Sequence, residues 1–389
     1  MKYESLAIHG GRKDTTAIQG VNYPVYLSST FTQEGLDNFG EFMYSRSNNP
    51  TRNNVEILAA QLEGAAHGLA MASGMAATAL AFSLLKSGDK VLINNNVYGG
   101  TWNFVFQVFS ERNIQYEVVK DLNHYDFNQA DTSVAAVFME TPSNPLLDVV
   151  DIKAVTARAK ERGLLIIVDN TFMTSYLQKP LALGADVVVC SATKFYGGHS
   201  DIIAGLVMVN DDQLYQRLKF HQKILGAILS PFDSFLLARG IRTLPIRMDR
   251  QMQNTQKIAE FFETSGVAEK VYYPGLASHE GYEIQKRQAR GAGALLSVRL
   301  KPEYDCVVFC KELELFDLAV SLGGVESLIC HPASMTHESY SKEMQEQIGI
   351  CGNLLRLAVG IEDADDLLAD IKQALRKART NGMPSKGAV

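Results

Sequence analysis

The sequence predicts an α/β protein. A mostly parallel sheet lies in a three-layer large domain, and a smaller α+β C-terminal domain follows. Three observations predict this. Up to about residue 210, short apolar runs alternate with helical stretches, as parallel strands joined by crossover helices require. One run, Leu164-Leu165-Ile166-Ile167-Val168, is apolar at every position, as in a strand covered on both faces. After about residue 235 the alternation gives way to long amphipathic helices. At ~150 residues per domain, 389 residues accommodate two or three domains.

The elements follow in order. Residues 1–45 show little periodicity and turn signals at Gly10-Gly11, Gly20, Asn22 and Pro24, so they read as an extended arm. Residues 46–237 make the α/β domain and 238–389 the α+β domain. Asn49-Pro50-Thr51 opens a helix with Val55, Leu58, Ala59 and Leu62 on one face and Gly64 near its end. Leu69 to Leu85 is rich in apolar and small residues; it reads as a buried helix, too short and too polar for a membrane span. Strands are expected at Lys90-Ile93, Gln115-Val119, Ala135-Met139, Leu164-Val168, Asp186-Val189 and Leu206-Val209. Helices are expected at Ser73-Lys86, Thr101-Arg112 and Asp151-Arg162. In the C-terminal part, helices are expected at Met248-Thr264 and Glu362-Arg379, with strands near Ala294-Leu300 and Leu354-Val359. The tail Asn381-Val389 reads as frayed.

Composition narrows the function classes. Hydrophobic residues are 46% and charged residues 21%, which excludes a largely disordered or fibrous chain. Lys and Arg total 37 and Asp and Glu 43; the resulting charge of −6 leaves no electrostatic footprint for nucleic acid or an anionic membrane. Five scattered cysteines with no CxxC fit neither a disulfide scaffold nor a structural zinc site, and they fit a reducing cytoplasm. The first residues lack the apolar core of a signal peptide.

In a parallel sheet, ligands bind beyond the carboxyl ends of the strands. There the sequence places Glu140 before Thr141-Pro142-Ser143-Asn144-Pro145, Asp169 before Asn170-Thr171, and Ser191, Thr193 and Lys194 after Val187-Cys190. Each residue could simply cap a turn or a helix. Three strand ends together, one bearing a lysine, also describe a site. Lys194, among small residues and before Phe195-Tyr196-Gly197-Gly198-His199, suits either an amine in a desolvated pocket fit for Schiff-base chemistry or a surface lysine in a turn. Ser73-Gly74-Met75 opens a helix and could present backbone N–H groups to a phosphate; tight packing also selects such small residues. Lysine, carboxylate and phosphate donors are together what pyridoxal 5'-phosphate needs, and Tyr98 could stack on its ring.

At these residues the chain resembles the pyridoxal-phosphate enzymes of cysteine and methionine metabolism: cystathionine γ-synthase, cystathionine β- and γ-lyases, methionine γ-lyase and O-acetylhomoserine sulfhydrylase. The resemblance runs over nearly the whole chain. Its segments are Tyr44-Ser45-Arg46, Asn49-Pro50-Thr51, Ser73-Gly74-Met75, Val97-Tyr98-Gly99-Gly100-Thr101 and Glu140-Thr141-Pro142-Ser143-Asn144-Pro145. They continue through Asp169-Asn170-Thr171, Ser191-Ala192-Thr193-Lys194, Gly197-Gly198-His199-Ser200-Asp201, Ser321-Leu322-Gly323-Gly324 and Leu355-Arg356-Leu357.

The resemblance implies a fold-type I pyridoxal-phosphate enzyme of the cytoplasm, with no metal. Lys194 would carry the cofactor as a Schiff base and then act as the base at Cα. Asp169 would hold the pyridine nitrogen, and Tyr98 would stack on the ring and serve as acid for the departing sulfur. Gly74, Met75, Ser191 and Thr193 would hold the phosphate. Tyr44 and Arg46 would reach that phosphate from the neighbouring subunit, so the arm would contact a neighbour in a homotetramer of two active dimers. Arg356, Ser321 and Asn144 would bind the substrate α-carboxylate, and Glu140 and Thr171 would line the site.

The expected activity is carbon–sulfur β- or γ-elimination on a sulfur amino acid such as cystathionine, cysteine, homocysteine or methionine. A γ-replacement transferase is the alternative, and a non-catalytic binding protein on the same fold a remote one. Many cystathionine-handling members have an arginine at the position of Asn103, and many γ-lyases and γ-synthases a glutamate at Val320. Losing both distal anchors favours a one-headed substrate. Methionine γ-lyases usually have a cysteine where this chain has Gly100, which counts against that subclass. Cys330 stands where relatives often have an acid.

Overall fold

The expected sheet is present in a computed structural model of the chain, which describes residues 1–13, 15, 16, 18–336 and 342–380, with only the backbone at 344, 346 and 347. The tail expectation at 381–389 lies outside the described residues. The chain divides into two units. One comprises Met1–Asn94, Gly100–Met139 and Asp151–Pro245; the other comprises Asn95–Gly99, Glu140–Val150 and Ile246–Val389.

The first unit is built on seven strands. They are β1 (His67–Met71), β2 (Lys90–Asn94), β3 (Gln115–Val119), β4 (Val134–Glu140), β5 (Leu165–Asp169), β6 (Val187–Ser191) and β7 (Gly205–Val209). Their order is β1-β7-β6-β5-β4-β2-β3. The pairs β2–β3, β2–β4 and β5–β6 are parallel, whereas β7 runs against both β1 and β6. Ile166, Ile167 and Val168 are all fully buried, as are Ala136 to Met139, so neighbouring side chains on opposite faces are both covered. This is the fold-type I arrangement expected.

Two local expectations are corrected. Leu69 to Leu85 is not one helix: β1 comes first and pairs with β7, and the helix covers only Gly74–Phe82. Thr101–Arg112 is not a regular helix either; Gly99–Asn103 and Phe109–Glu111 flank a π-helical turn at Phe104–Val108. The arm also contains a short helix, Tyr3–His9. The helix Pro50–Glu63 starts and stops as its sequence directs. Asn49 Oδ1 caps it by accepting from Thr51 and Arg52, and Gly64 ends it at φ 82°.

The second unit holds a five-stranded sheet. Its strands are β8 (Ala268–Tyr272), β9 (Leu295–Leu300), β10 (Phe316–Leu318), β11 (Ser327–Cys330) and β12 (Leu354–Ala358), in the order β10-β11-β12-β9-β8. Leu296, Val298 and Leu300 of β9 and Leu355 and Leu357 of β12 join Ile258, Phe262, Leu367, Ile371 and Leu375 in its core. A strand alternates its faces, so Arg356 points away from this core.

Glu63 ends the helix Pro50–Glu63 almost fully buried. One oxygen accepts Leu181 N–H at 3.4 Å, and the other has no hydrogen-bond partner. Burial pushes its carboxyl up to about 8, with the Leu181 N–H and Lys179 pulling the other way. A raised carboxyl pKa means that the folded state holds the proton more tightly than the unfolded chain. The stabilisation is complete below the unfolded value of 4.5 and is lost as pH rises through about 8. Urea unfolding at pH 6 and pH 9 should therefore show the native protein losing stability relative to Glu63→Gln. Identical pH dependence in both would refute this.

Candidate active site

Within the first unit, the ends of the adjacent strands β5 and β6 are joined by one hydrogen-bond chain. Asp169 Oδ1 accepts from Thr171 N–H (3.0 Å) and from the Thr171 hydroxyl (2.6 Å); that hydroxyl accepts Ser191 N–H at 2.8 Å. Surrounding protein pushes the Asp169 carboxyl up, and the two Thr171 bonds offset part of that rise. Lys194 lies in the turn after β6, where its N–H donates to Ser191 O and its carbonyl accepts Gly198 N–H.

The helix Gly74–Phe82 starts against this strand end. A Cβ on Gly74 would stand 2.6 Å from Ser191 Cβ, so only glycine allows the approach. Ser73 Oγ caps the helix through Ala76 N–H. The N–H groups of Gly74 and Met75 lie in the first turn, where a helix supplies no partner. The Thr193 hydroxyl sits between Ala204 N–H (3.0 Å) and Ala204 O (3.2 Å), so an incoming anion competes with that carbonyl for its proton. Tyr44 and Arg46 are exposed on the arm; the guanidinium lies over the Tyr44 ring, and Nη1 donates to Lys223 O at 2.7 Å.

Within the second unit, Arg356 is 3% exposed. Its Nη1 donates to Asn144 Oδ1 and its Nη2 to Ser321 O, each at 2.9 Å, while its Nε is buried without a partner. Ser321 adopts φ 108°, outside the ordinary range for a residue with a Cβ. Both acceptors are neutral, and among the described residues no carboxylate is hydrogen-bonded to Arg356. Cys330 stands opposite Arg356 in the β11–β12 register; burial pushes its thiol up and Arg356 pulls it down. Glu140 is buried and accepts Tyr98 N–H at 2.8 Å, which fixes the backbone of a half-exposed tyrosine.

The sequence profile of the Cys/Met metabolism PLP-dependent enzymes matches residues 4–376. The chain belongs to this family. It is 49% identical over 376 residues to a cystathionine beta-lyase of Lactococcus lactis subsp. cremoris, covering 96% of this chain and 99% of that protein. It is 43% identical to a cystathionine gamma-lyase of Bacillus subtilis, again covering 96% and 99%. A solved cystathionine gamma-lyase from Lactobacillus plantarum, complexed with L-serine, superposes with TM-score 0.95 at 39% identity, covering 97% of this chain and 99% of that one.

The family cofactor is pyridoxal 5'-phosphate, and the residues present fit it. A carboxyl raised by burial gains from a cationic ring N–H. The glycine cradle between Gly74 and Ser191 leaves first-turn N–H groups for a phosphate. Among the described residues, no helix is long and apolar enough to cross a membrane.

Thr171, expected among the cofactor-binding residues lining the site, also links Asp169 to Ser191, which the sequence did not reveal. Nor did the sequence reading single out Arg52 and Glu56, two charged residues buried in the helix Pro50–Glu63. Their signal was present: they share the helix face of Val55 and Ala59 at i, i+4 spacing.

Gly74→Ala should keep its fold by circular dichroism and bind pyridoxal phosphate about tenfold more weakly, because the helix start must retreat from Ser191. Unchanged affinity in an absorbance titration would remove the cradle from the account.

Proposed function

We propose that L-cystathionine is the substrate of this chain, a pyridoxal-phosphate-dependent carbon–sulfur lyase, and that the cut is a β-elimination. With one water consumed, cystathionine would yield homocysteine, pyruvate and ammonia. Arg356 carries the reading. A buried guanidinium with two neutral acceptors and an open Nε matches an amino-acid α-carboxylate, which supplies the missing negative charge. Cystathionine lyases at 43–49% identity support this substrate. Val320 favours β over γ: it is exposed and apolar where many γ-lyases carry a glutamate for the distal amino group. γ-Replacement is not favoured, since these relatives bear lyase names.

When bound, the cofactor withdraws electrons from the substrate Cα. Asp169 keeps the ring nitrogen protonated, a task suited to a carboxylate short of solvation. Lys194 Nζ takes the Cα proton as general base. Tyr98 would stack on the cofactor ring, and its Oη would give a proton to the departing sulfur. Asn144 and the Ser321 carbonyl orient Arg356 toward the α-carboxylate. Glu140 sets Tyr98 through its N–H, and Thr171 sets Asp169. Gly74, Met75, Ser191 and Thr193 hold the phosphate. Tyr44 and Arg46 serve the phosphate of a neighbouring subunit, which makes the active unit a dimer, paired into a tetramer. The five free cysteines are consistent with a reducing cytoplasm.

A second reading has Asn103 and Val320 behind it. Without charges there, a one-headed substrate such as cysteine, homocysteine or methionine would lose no anchor. Mass spectrometry of holoenzyme with L-cystathionine separates the outcomes. Homocysteine with pyruvate supports the proposal, cysteine with 2-oxobutyrate overturns the β assignment, and no turnover passes the assay to the one-headed amino acids. Lys194→Ala should abolish elimination while still binding the cofactor noncovalently, as seen by dialysis and absorbance. Arg356→Ala should raise KM about 10- to 100-fold and change kcat much less. An unchanged KM would remove Arg356 from the substrate site.

A further inference from the structure

We infer that Arg52 is a positioning residue: it holds the Tyr44–Arg46 segment in the shape that reaches the neighbouring subunit's cofactor phosphate. The inference rests on the dimer reading above.

Arg52 is fully buried, in the first turn of the helix Pro50–Glu63. Its Nη1 donates to Ser45 O at 2.7 Å, the carbonyl between Tyr44 and Arg46. Its Nε faces Glu56 Oε1 at 3.5 Å. Neither Nε nor Nη2 makes a hydrogen bond. Burial pulls the guanidinium pKa down, and Glu56 opposes that. Apolar side chains in place of both Arg52 and Glu56 would fill the same space at no greater cost. What they could not do is grip a backbone carbonyl of the arm.

Glu56 is itself fixed. Its Oε1 accepts Ala70 N–H (3.0 Å) and Gln222 Nε2 (3.1 Å), and Oε2 lies 3.6 Å from Lys219 Nζ. Gln222 also donates to Ala70 O. The next residue, Lys223, supplies the carbonyl that accepts Arg46 Nη1. The segment is therefore pinned twice to one scaffold. Ser45 O is held through Arg52 and Glu56 to β1 and the helix Asp212–Leu225, and Arg46 is held to that same helix. Asn49 Nδ2 adds a bond to Ser45 Oγ at 3.0 Å.

The test is a double-mutant cycle on pyridoxal-phosphate affinity, read by titrating apoenzyme whose dimer mass and circular dichroism match the native protein. Arg46→Ala measures the direct contact. Arg52→Gln should also weaken binding, by about tenfold. In the background Tyr44→Phe/Arg46→Ala, which removes both contacts, Arg52→Gln should cause no further loss, because Arg52 acts only through the segment. Turnover per bound cofactor should be native in Arg52→Gln. Additive losses, or no loss in Arg52→Gln where Arg46→Ala weakens binding, would overturn the positioning role. No loss in Arg46→Ala would instead sink the dimer reading beneath it. If Arg52→Gln does not fold, the pair Arg52→Met/Glu56→Gln, which removes the donor to Ser45 O and leaves no buried charge unpaired, replaces it in the same cycle with the same outcomes.

Discussion

Much of the first unit's chemistry depends on one hydroxyl. Thr171 donates its one hydroxyl proton to Asp169 and accepts Ser191 N–H, and so joins the ends of two parallel strands. This fixes the spacing between a carboxylate and the turn that carries Ser191, Thr193 and Lys194. Taking a carboxylate out of water costs several kcal/mol, and two bonds to one oxygen recover only part of that. The rest shows as a raised pKa. A cationic N–H placed beside that carboxylate would meet the demand.

The second unit meets the same problem with the opposite sign. Because Leu355 and Leu357 belong to the core, Arg356 between them must lie on the other sheet face, and there it remains buried. Its acceptors are an amide oxygen and a carbonyl, which orient the fork without cancelling its charge. Ser321 holds a backbone conformation that costs of order 1–3 kcal/mol for a residue with a Cβ, and its carbonyl is one of those two acceptors. A carboxylate partner within the protein would occupy the fork that a ligand carboxylate could otherwise take.

What the sequence revealed follows from which physical signals are local. Strands β2 to β6 were legible because runs of buried aliphatics recur between helices, and Glu140, Asp169 and Ser191 because polar residues at parallel-strand ends stand out. Strand direction is not a local property, so the reversal of β7 left no trace. β1 was hidden because its residues continue without polarity change into the next helix. In the second sheet, β10 and β11 have three and four residues, too few for a period, and β8 carries Glu269 and Lys270. A π turn differs from an α turn by less than one residue, which no pattern across 101–112 resolves. The roles of Arg356, Tyr44 and Arg46 came from family resemblance; the neutral setting of Arg356 came only from the structure.

The helix Pro50–Glu63 shows why a charge on an apolar face carries more information than another leucine. Arg52, Glu56 and Glu63 are each under 5% exposed. Breaking a buried pair costs about 3–5 kcal/mol, yet replacing the whole pair by apolar residues is often neutral or stabilising. Stability alone therefore does not explain Arg52 and Glu56. Their partners do: Ser45 O on the arm, Ala70 N–H on β1, and Gln222 and Lys219 on one helix. Apolar contacts could pack these elements together, but they are non-directional and would leave a strap of turns free to slide. The hydrogen bond from the Arg52 guanidinium is directional: it fixes Ser45 O, the carbonyl between Tyr44 and Arg46.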